Sequence, residues 1–360
     1  MILRRTPSER GIKIELMLQG AAVSRVSVID LDMRIGDASV RCGGIGDVYT
    51  ERAHRRKGYA RRVLEESLAF MVQEGYHLSA LFGIPDLYSK FGFAPALIES
   101  RCTVATRDAE TAEPHYNVRA LQPQDIPAMA EMYGRMRGVR TASVVRKPAT
   151  WAGFPVGSRW SDRVSTIAVV DKDKLIGYAA YESDPRHCTV TEIGYLDGSV
   201  FSTLLAAVAR IAVERRVERI VFGGPPDDPF LQYCHRYGCE IEIVYPRNRN
   251  GMARIIDQPA LLEAIYPLFL RRLQRAGLAD WSGVIALSTD LGKDRLRFGS
   301  SGEELAVEMP QWMLAQLLFG YRSLDRALLD HRAHANEKVL PVLGALFPQG
   351  YPYVWWADRF

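Results

Sequence analysis

The sequence predicts an α+β or α/β protein with mixed central sheets, built in tandem and followed by a smaller third unit of α+β type. Three observations carry this. Apolar and polar residues alternate in short runs over residues 11–50 and then change to a helical period from Gly58 to Gly75, so strands give way to an amphipathic helix. Similar grammar returns after residue 112, and the stretches 88–93 (Tyr-Ser-Lys-Phe-Gly-Phe) and 234–239 (Cys-His-Arg-Tyr-Gly-Cys) align without a gap, as in a diverged internal duplication. At 360 residues the chain also exceeds what one core usually organises, and units at 1–112, 113–250 and 251–360 are expected.

In the first unit, residues 12–18 (Ile-Lys-Ile-Glu-Leu-Met-Leu) and 26–33 (Val-Ser-Val-Ile-Asp-Leu-Asp-Met) read as consecutive antiparallel strands, with a glycine-punctuated strand at 44–50. Ala60, Val63, Leu64, Leu68 and Met71 then share one helical face, and Gly75 supplies a stop. Residues 77–82 read as a buried strand and 87–90 as a short helical turn. The polar stretch 109–114 marks a linker. The second unit opens with a helix at 125–133 and continues with strands at 167–170 and 175–181, a helix at 201–215 and a strand at 219–222. From Met252 the pattern becomes a long helix at 260–275, strands near 284–289 and 296–298, and an apolar helix at 310–318, before an aromatic run at 353–360.

Composition excludes several classes. Hydrophobic residues at 48% and charged residues at 24% suit a folded protein. The excess of 46 Lys and Arg over 42 Asp and Glu is too small to argue for a nucleic-acid partner. Cys42, Cys102, Cys188, Cys234 and Cys239 are scattered, which predicts reduced thiols, and His54, His187 and His235 show no ligand spacing, so no metal is expected. No apolar run of about 18 residues occurs and no apolar signal core follows Met1, so no membrane partner is expected and a cytoplasmic location is the default.

The chemistry concentrates at residues 48–60, where a strand passes through Arg55-x-x-Gly58-x-Ala60 directly into the helix. Amides at a helix N-terminus have no intrahelical partner and the helix dipole adds partial positive charge, so such a junction accepts a diphosphate. Gly58 and Ala60 keep the approach open, while Arg55, Arg56, Lys57, Arg61 and Arg62 add charge suited to pyrophosphate and a ribose phosphate. A solvated basic helix start is the bland alternative; the strand-to-helix context favours phosphate.

Arg-x-x-Gly-x-Ala in this setting resembles the acetyl-CoA signature of GNAT acetyltransferases. In that family the preceding strand splays from its neighbour, and its free backbone groups hold the pantetheine arm and polarise the thioester. The resemblance implies an acetyl-CoA site at Val48, Tyr49, Thr50, Arg55, Arg56, Lys57, Gly58, Tyr59, Ala60 and Arg61. Many relatives carry a glutamate base on this strand, but the corresponding place here, near Gly43 and Gly44, has no carboxylate.

The whole chain resembles the enhanced intracellular survival (Eis) acetyltransferases, which have two GNAT domains and a sterol-carrier-protein-like domain. In that group the C-terminal carboxylate is the base and a tyrosine reprotonates the departing thiolate. Phe360 and Tyr88 match those residues. The chemistry is reasonable in itself, because an amine must lose a proton to attack and a thiolate leaves better when met by an acid. Packing for Tyr88 and a frayed or strand-paired end for Phe360 are the competing readings.

The second unit has no such signature, and Cys234 stands where Tyr88 does, so it is expected to wall the acceptor pocket. The third unit's resemblance rests on the tail and on residues 307–321. Eis-like chains begin with a strand and two helices over the acceptor site; this chain is expected to start at the second strand, leaving the pocket open to an acceptor different from or larger than an aminoglycoside. The implied reaction moves acetyl to a primary amine of a small polar or polycationic acceptor (aminoglycoside, polyamine or lysine-like) by direct attack in a ternary complex. The resemblance also implies a hexamer or dimer. The rival is a non-catalytic acyl-CoA or apolar-ligand carrier.

Overall fold

Ile14 and Leu16 are fully buried on one face of the strand Gly11–Leu18, and Glu15 between them, also buried, pairs with Arg4. The computed structural model describes residues 1–154, 157 and 162–360. Its chain divides into two compact units: Met1–Leu97 with Pro246–Pro352 and Phe360, and Ile98–Tyr245 with Tyr353–Arg359.

The first unit holds a mixed seven-stranded sheet. Its order is Ile2–Ser8, Gly11–Leu18, Ala21–Ile35, Ala38–Thr50, Leu78–Gly83, Asn250–Ile255 and Ala94–Pro95. The first four strands are antiparallel neighbours. Ala38–Thr50 and Leu78–Gly83 run parallel, joined through the helix Tyr59–Gln73. That helix buries Val63, Leu64, Ser67 and Met71. Gly43 makes room for it, since a Cβ there would collide with the Met71 sulfur.

The second unit's sheet repeats the pattern strand for strand: Asn117–Ala120, Val164–Asp171, Lys174–Glu182, Cys188–Tyr195, Arg219–Gly223, Glu99–Ala105 and Cys239–Val244. Cys188–Tyr195 and Arg219–Gly223 are again its parallel pair, connected by the helix Phe201–Glu214.

Three expectations about organisation differ from the structure. The first concerns boundaries. Glu99–Ala105 leaves the first sheet and pairs between Arg219–Gly223 and Cys239–Val244, and Asn250–Ile255 takes the matching interior place in the first sheet. The chain therefore changes units at Ile98, not at the polar stretch after Ala109. Alternation marks a strand but carries no information on which sheet receives it.

The second concerns the start of the chain. A first strand is present as Ile2–Ser8, joined to Gly11–Leu18 by Glu9 and Arg10 alone. The equivalent connection in the second unit contains the helix Ile126–Arg137. Ile2–Ser8 is a sheet edge whose residues are almost all exposed, so it has no apolar face to show in the sequence.

The third is that residues after Met252 do not form a separate compact unit. They build the helix Gln258–Arg275 and a four-stranded sheet ordered Gly292–Phe298, Gly283–Thr289, Glu304–Glu308 and His334–Ala335. Hydrogen bonds tie them to the first sheet's segments. Arg271 donates to Asp37 at 2.7 Å, Gln311 to the Gly92 carbonyl at 2.6 Å and Gln316 to the Pro95 carbonyl at 2.7 Å. The helix Gln311–Phe319, buried at every position but Trp312, is as apolar as expected. Among the described residues no helix is long and apolar enough to cross a membrane.

In the second unit, Arg146 is 1% exposed at its side chain and donates to two carboxylates: Glu192 at 2.7 and 2.5 Å, and Asp358 at 2.8 and 2.9 Å. Its guanidinium also lies over the rings of Tyr133 at 3.7 Å and Trp151 at 4.3 Å. Removing the cation leaves two buried carboxylates without it. Arg146→Met is expected to cost about 3–5 kcal/mol in chemical denaturation of the full chain; a loss near zero would show that the cluster relaxes without its centre.

Candidate active site

Ala38–Thr50 and Leu78–Gly83 pair for four residues only, Cys42 to Ile45 against Leu78 to Leu81. Beyond that point they part. On its other side Ala38–Thr50 stays paired with Ala21–Ile35 up to Thr50, but with one extra residue, since Gly46 opposes Ser27 while Tyr49 opposes Arg25. This is a β-bulge. Asp47 in the bulge has φ of +48°, and Arg25 grips its carboxylate at 2.7 and 3.0 Å. One backbone edge of residues 46–50 thus has no strand partner among the described residues.

The chain turns from this arm into the signature. The Arg55 side chain donates to the Thr50 carbonyl at 3.2 Å, and Gly58, at φ of +79°, caps the helix Tyr59–Gln73. A Cβ on Gly58 would meet nothing within 4 Å, so it is the left-handed φ that favours glycine here. The first intrahelical bond runs from the Arg62 amide to the Gly58 carbonyl at 3.2 Å, and no side chain caps the amides before it. Arg55, Arg56, Lys57, Arg61 and Arg62 are exposed around that end, and among the described residues the one carboxylate paired with them is Glu65, 3.8 Å from Arg61. Such an end binds anions.

The corresponding turn in the second unit is closed by its own acid. Asp197 accepts a hydrogen bond from the Ser199 amide at 2.8 Å, just before the helix Phe201–Glu214. Bonds from Ser199 hold the Asp197 carboxyl below its ordinary range. A carboxylate at this place opposes a phosphate.

Tyr88 begins the short 3₁₀ turn Tyr88–Phe91, and Cys234 begins the matching turn Cys234–Tyr237. Tyr88 is 7% exposed, its ring lies so close to Gly83 that a Cβ there would clash, and it meets Phe93 edge-on at 6.3 Å. Burial raises its pKa above the ordinary phenol value. Arg254, on the inserted strand, donates to the Phe91 carbonyl and holds the turn.

Phe360 enters the fork between the parted strands. It is 5% exposed and its ring meets Phe82 edge-on at 5.8 Å. On the other strand, a Cβ placed on Gly44, in the last paired stretch, would lie 2.7–2.9 Å from three ring carbons, and one on Gly46, just past it, would lie 3.3 Å from the carboxyl carbon. Phe82 and Gly83 are consecutive, so the contacts of Phe360 and Tyr88 fall on neighbouring positions of one arm. Consecutive strand positions face opposite ways, so Phe360 and Tyr88 lie against opposite faces of this arm; both, like the free edge of residues 46–50, belong to the first unit. The Tyr49 side chain takes a different course: 42% exposed, it stacks under Arg25 at 4.8 Å. Sequence reasoning missed Gly46 and Phe82, and noted Gly44 only for the carboxylate it lacks.

All five cysteines are free. Among the described residues no group of three or more His, Cys, Asp or Glu side chains is placed to hold a metal ion.

Residues 5–96 match the family described as acetyltransferase (GNAT) domain. A comparison with curated proteins finds no match. Among solved structures the chain is similar to a GCN5-related N-acetyltransferase from Anabaena variabilis ATCC 29413, with a TM-score of 0.75 at 16% identity over 97% of this chain and 89% of that one. It is similar to a probable N-acyltransferase of Enterococcus faecalis V583, with a TM-score of 0.74 at 16% identity over 97% and 89%. Eis1 from Mycobacterium abscessus follows at 0.64 and 17% identity over 97% and 90%. These likenesses are of fold. Residues 5–96 are a GNAT acetyltransferase domain, and through that domain the chain is an acyltransferase.

Proposed function

We propose that the chain transfers the acetyl group of acetyl-CoA to a primary amine by direct attack in a ternary complex. The observation that carries this reading is the Phe360 terminus set beside Gly46, where two parallel strands part and Tyr88 packs on the neighbouring arm. GNAT domains use acetyl-CoA, and the parts it needs have candidates here. The amides of Tyr59, Ala60 and Arg61, with Arg55, Arg56 and Lys57, suit the pyrophosphate. The free edge at Val48, Tyr49 and Thr50 can pair with the amides of the pantetheine arm as an added strand would.

In the reaction the amine nitrogen attacks the thioester carbon, a C–N bond forms and the C–S bond breaks. The proton lost by nitrogen passes to the Phe360 carboxylate, directly or through a water. An α-carboxylate has a reference pKa of about 3.5 and is a weak base, so it serves best once bond formation has acidified the nitrogen. Tyr88 gives its proton to the departing thiolate. Burial keeps its pKa above the ordinary phenol value, so the proton is in place at neutral pH and is given up only to a strongly basic thiolate. The negative terminus favours cationic acceptors, in keeping with a polyamine, an aminoglycoside or a lysine-like amine. We read the second unit as a GNAT domain that does not bind acetyl-CoA, on the strength of Asp197 and Cys234, and the segment 258–346 of the first unit as sterol-carrier-like on its helices and four-stranded sheet.

Three outcomes test this. Coenzyme A titrated calorimetrically into the intact chain should bind, and Gly58→Val, which strains a left-handed residue, should weaken binding by about tenfold, or 1.4 kcal/mol. Tyr88→Phe should lower kcat about a hundredfold with coenzyme A affinity nearly unchanged. Residues appended after Phe360 should abolish thiol release from acetyl-CoA in the presence of amines; full activity in such an extended chain would remove the terminus from the mechanism, and coenzyme A binding without release across the amines would favour a carrier.

A further inference from the structure

We infer that the ring of Phe360 is the device that sets its carboxylate, and that Gly44 is a positioning residue for it; this rests on the reading of the terminus as the base. The ring is held from both strands at the mouth of the fork. Phe82 closes one side edge-on at 5.8 Å. On the other, Cδ2, Cε2 and Cγ lie 2.7, 2.8 and 2.9 Å from where a Gly44 Cβ would stand, well inside van der Waals contact. Gly44 has no freedom to retreat, being paired with Ile29 on one side and Ala80 on the other. Any side chain at position 44 therefore displaces the ring.

The carboxylate follows the ring. Positions 44 and 46 share one face of the strand, with Gly43 turned to the opposite face and Met71. The terminal residue lies along that face, its ring against Gly44 and its carboxyl carbon 3.3 Å from the Cβ position of Gly46. Ring and carboxylate thus occupy two successive sites on one bare stretch of strand. The missing side chain at position 44 is the room in which the ring sits.

Gly44→Ala is expected to lower kcat about tenfold or more through misplacement of the carboxylate, with coenzyme A affinity unchanged by calorimetry. Phe360→Ala keeps a terminal carboxylate but takes away the ring that sets it, so it should lower kcat in the same way, again with coenzyme A affinity unchanged. Thiol release from acetyl-CoA with spermidine, kanamycin and lysine amide is the readout, in the full chain and in one ending at Arg359. If the chain ending at Arg359 is inactive while Gly44→Ala keeps the parent kcat, the base stands and this inference falls. A Phe360→Ala chain with the parent kcat overturns it too, because the carboxylate is then placed without the ring. If the shortened chain keeps full activity, or no amine is acetylated by the parent, the reading of the site falls and takes the inference with it. Should Gly44→Ala fail to fold, Phe360→Trp overfills the same seat without touching the strand; lowered kcat with unchanged coenzyme A affinity supports the inference, and the parent kcat overturns it.

Discussion

The arrangement of the first unit depends on one geometric event, the parting of two parallel strands after Ile45 and Leu81. Backbone groups inside a sheet are normally consumed by the neighbouring strand. Here the ladder stops after four residues and the bulge at Asp47 turns the departing arm, so an edge becomes free in the middle of a seven-stranded sheet. The same arm leads directly to Gly58 and the uncapped start of a helix. The free edge and the anion-binding end are consequences of a single path of the chain.

The two halves differ at the start of the helix that follows the parallel pair. Both sheets have the same order and the same parallel pair followed by a helix. In the first, the residue before the helix is a glycine in the left-handed region, with cations around it. In the second, an aspartate side chain has already taken an amide that a phosphate would use. Backbone architecture is shared; the occupancy of a few N–H groups differs.

Much of this was legible in the sequence. The helix at 59–73, the strands around it and the 3₁₀ turns at Tyr88 and Cys234 follow from periodicity and from the aligned motifs, because these are local properties. The Arg-x-x-Gly-x-Ala junction was legible because its chemistry resides in consecutive residues. What escaped was non-local. Ile2–Ser8 has no buried face to read, and Glu99–Ala105 alternates plainly but pairs with strands more than a hundred residues away. The bareness of Gly44 and Gly46 could be read only as a missing side chain until the ring of the last residue was found against it.

The exchange of Glu99–Ala105 and Asn250–Ile255 has a consequence for how the molecule is made. Each sheet borrows an interior strand from the opposite half of the chain, so the first cannot be completed until the ribosome has passed residue 255. Until then Leu78–Gly83 exposes an unsatisfied ladder, a nascent surface open to mispairing with other copies. Folding of the two halves is thereby coupled in time, and a gene cut between them would yield two fragments, each missing the strand that completes it.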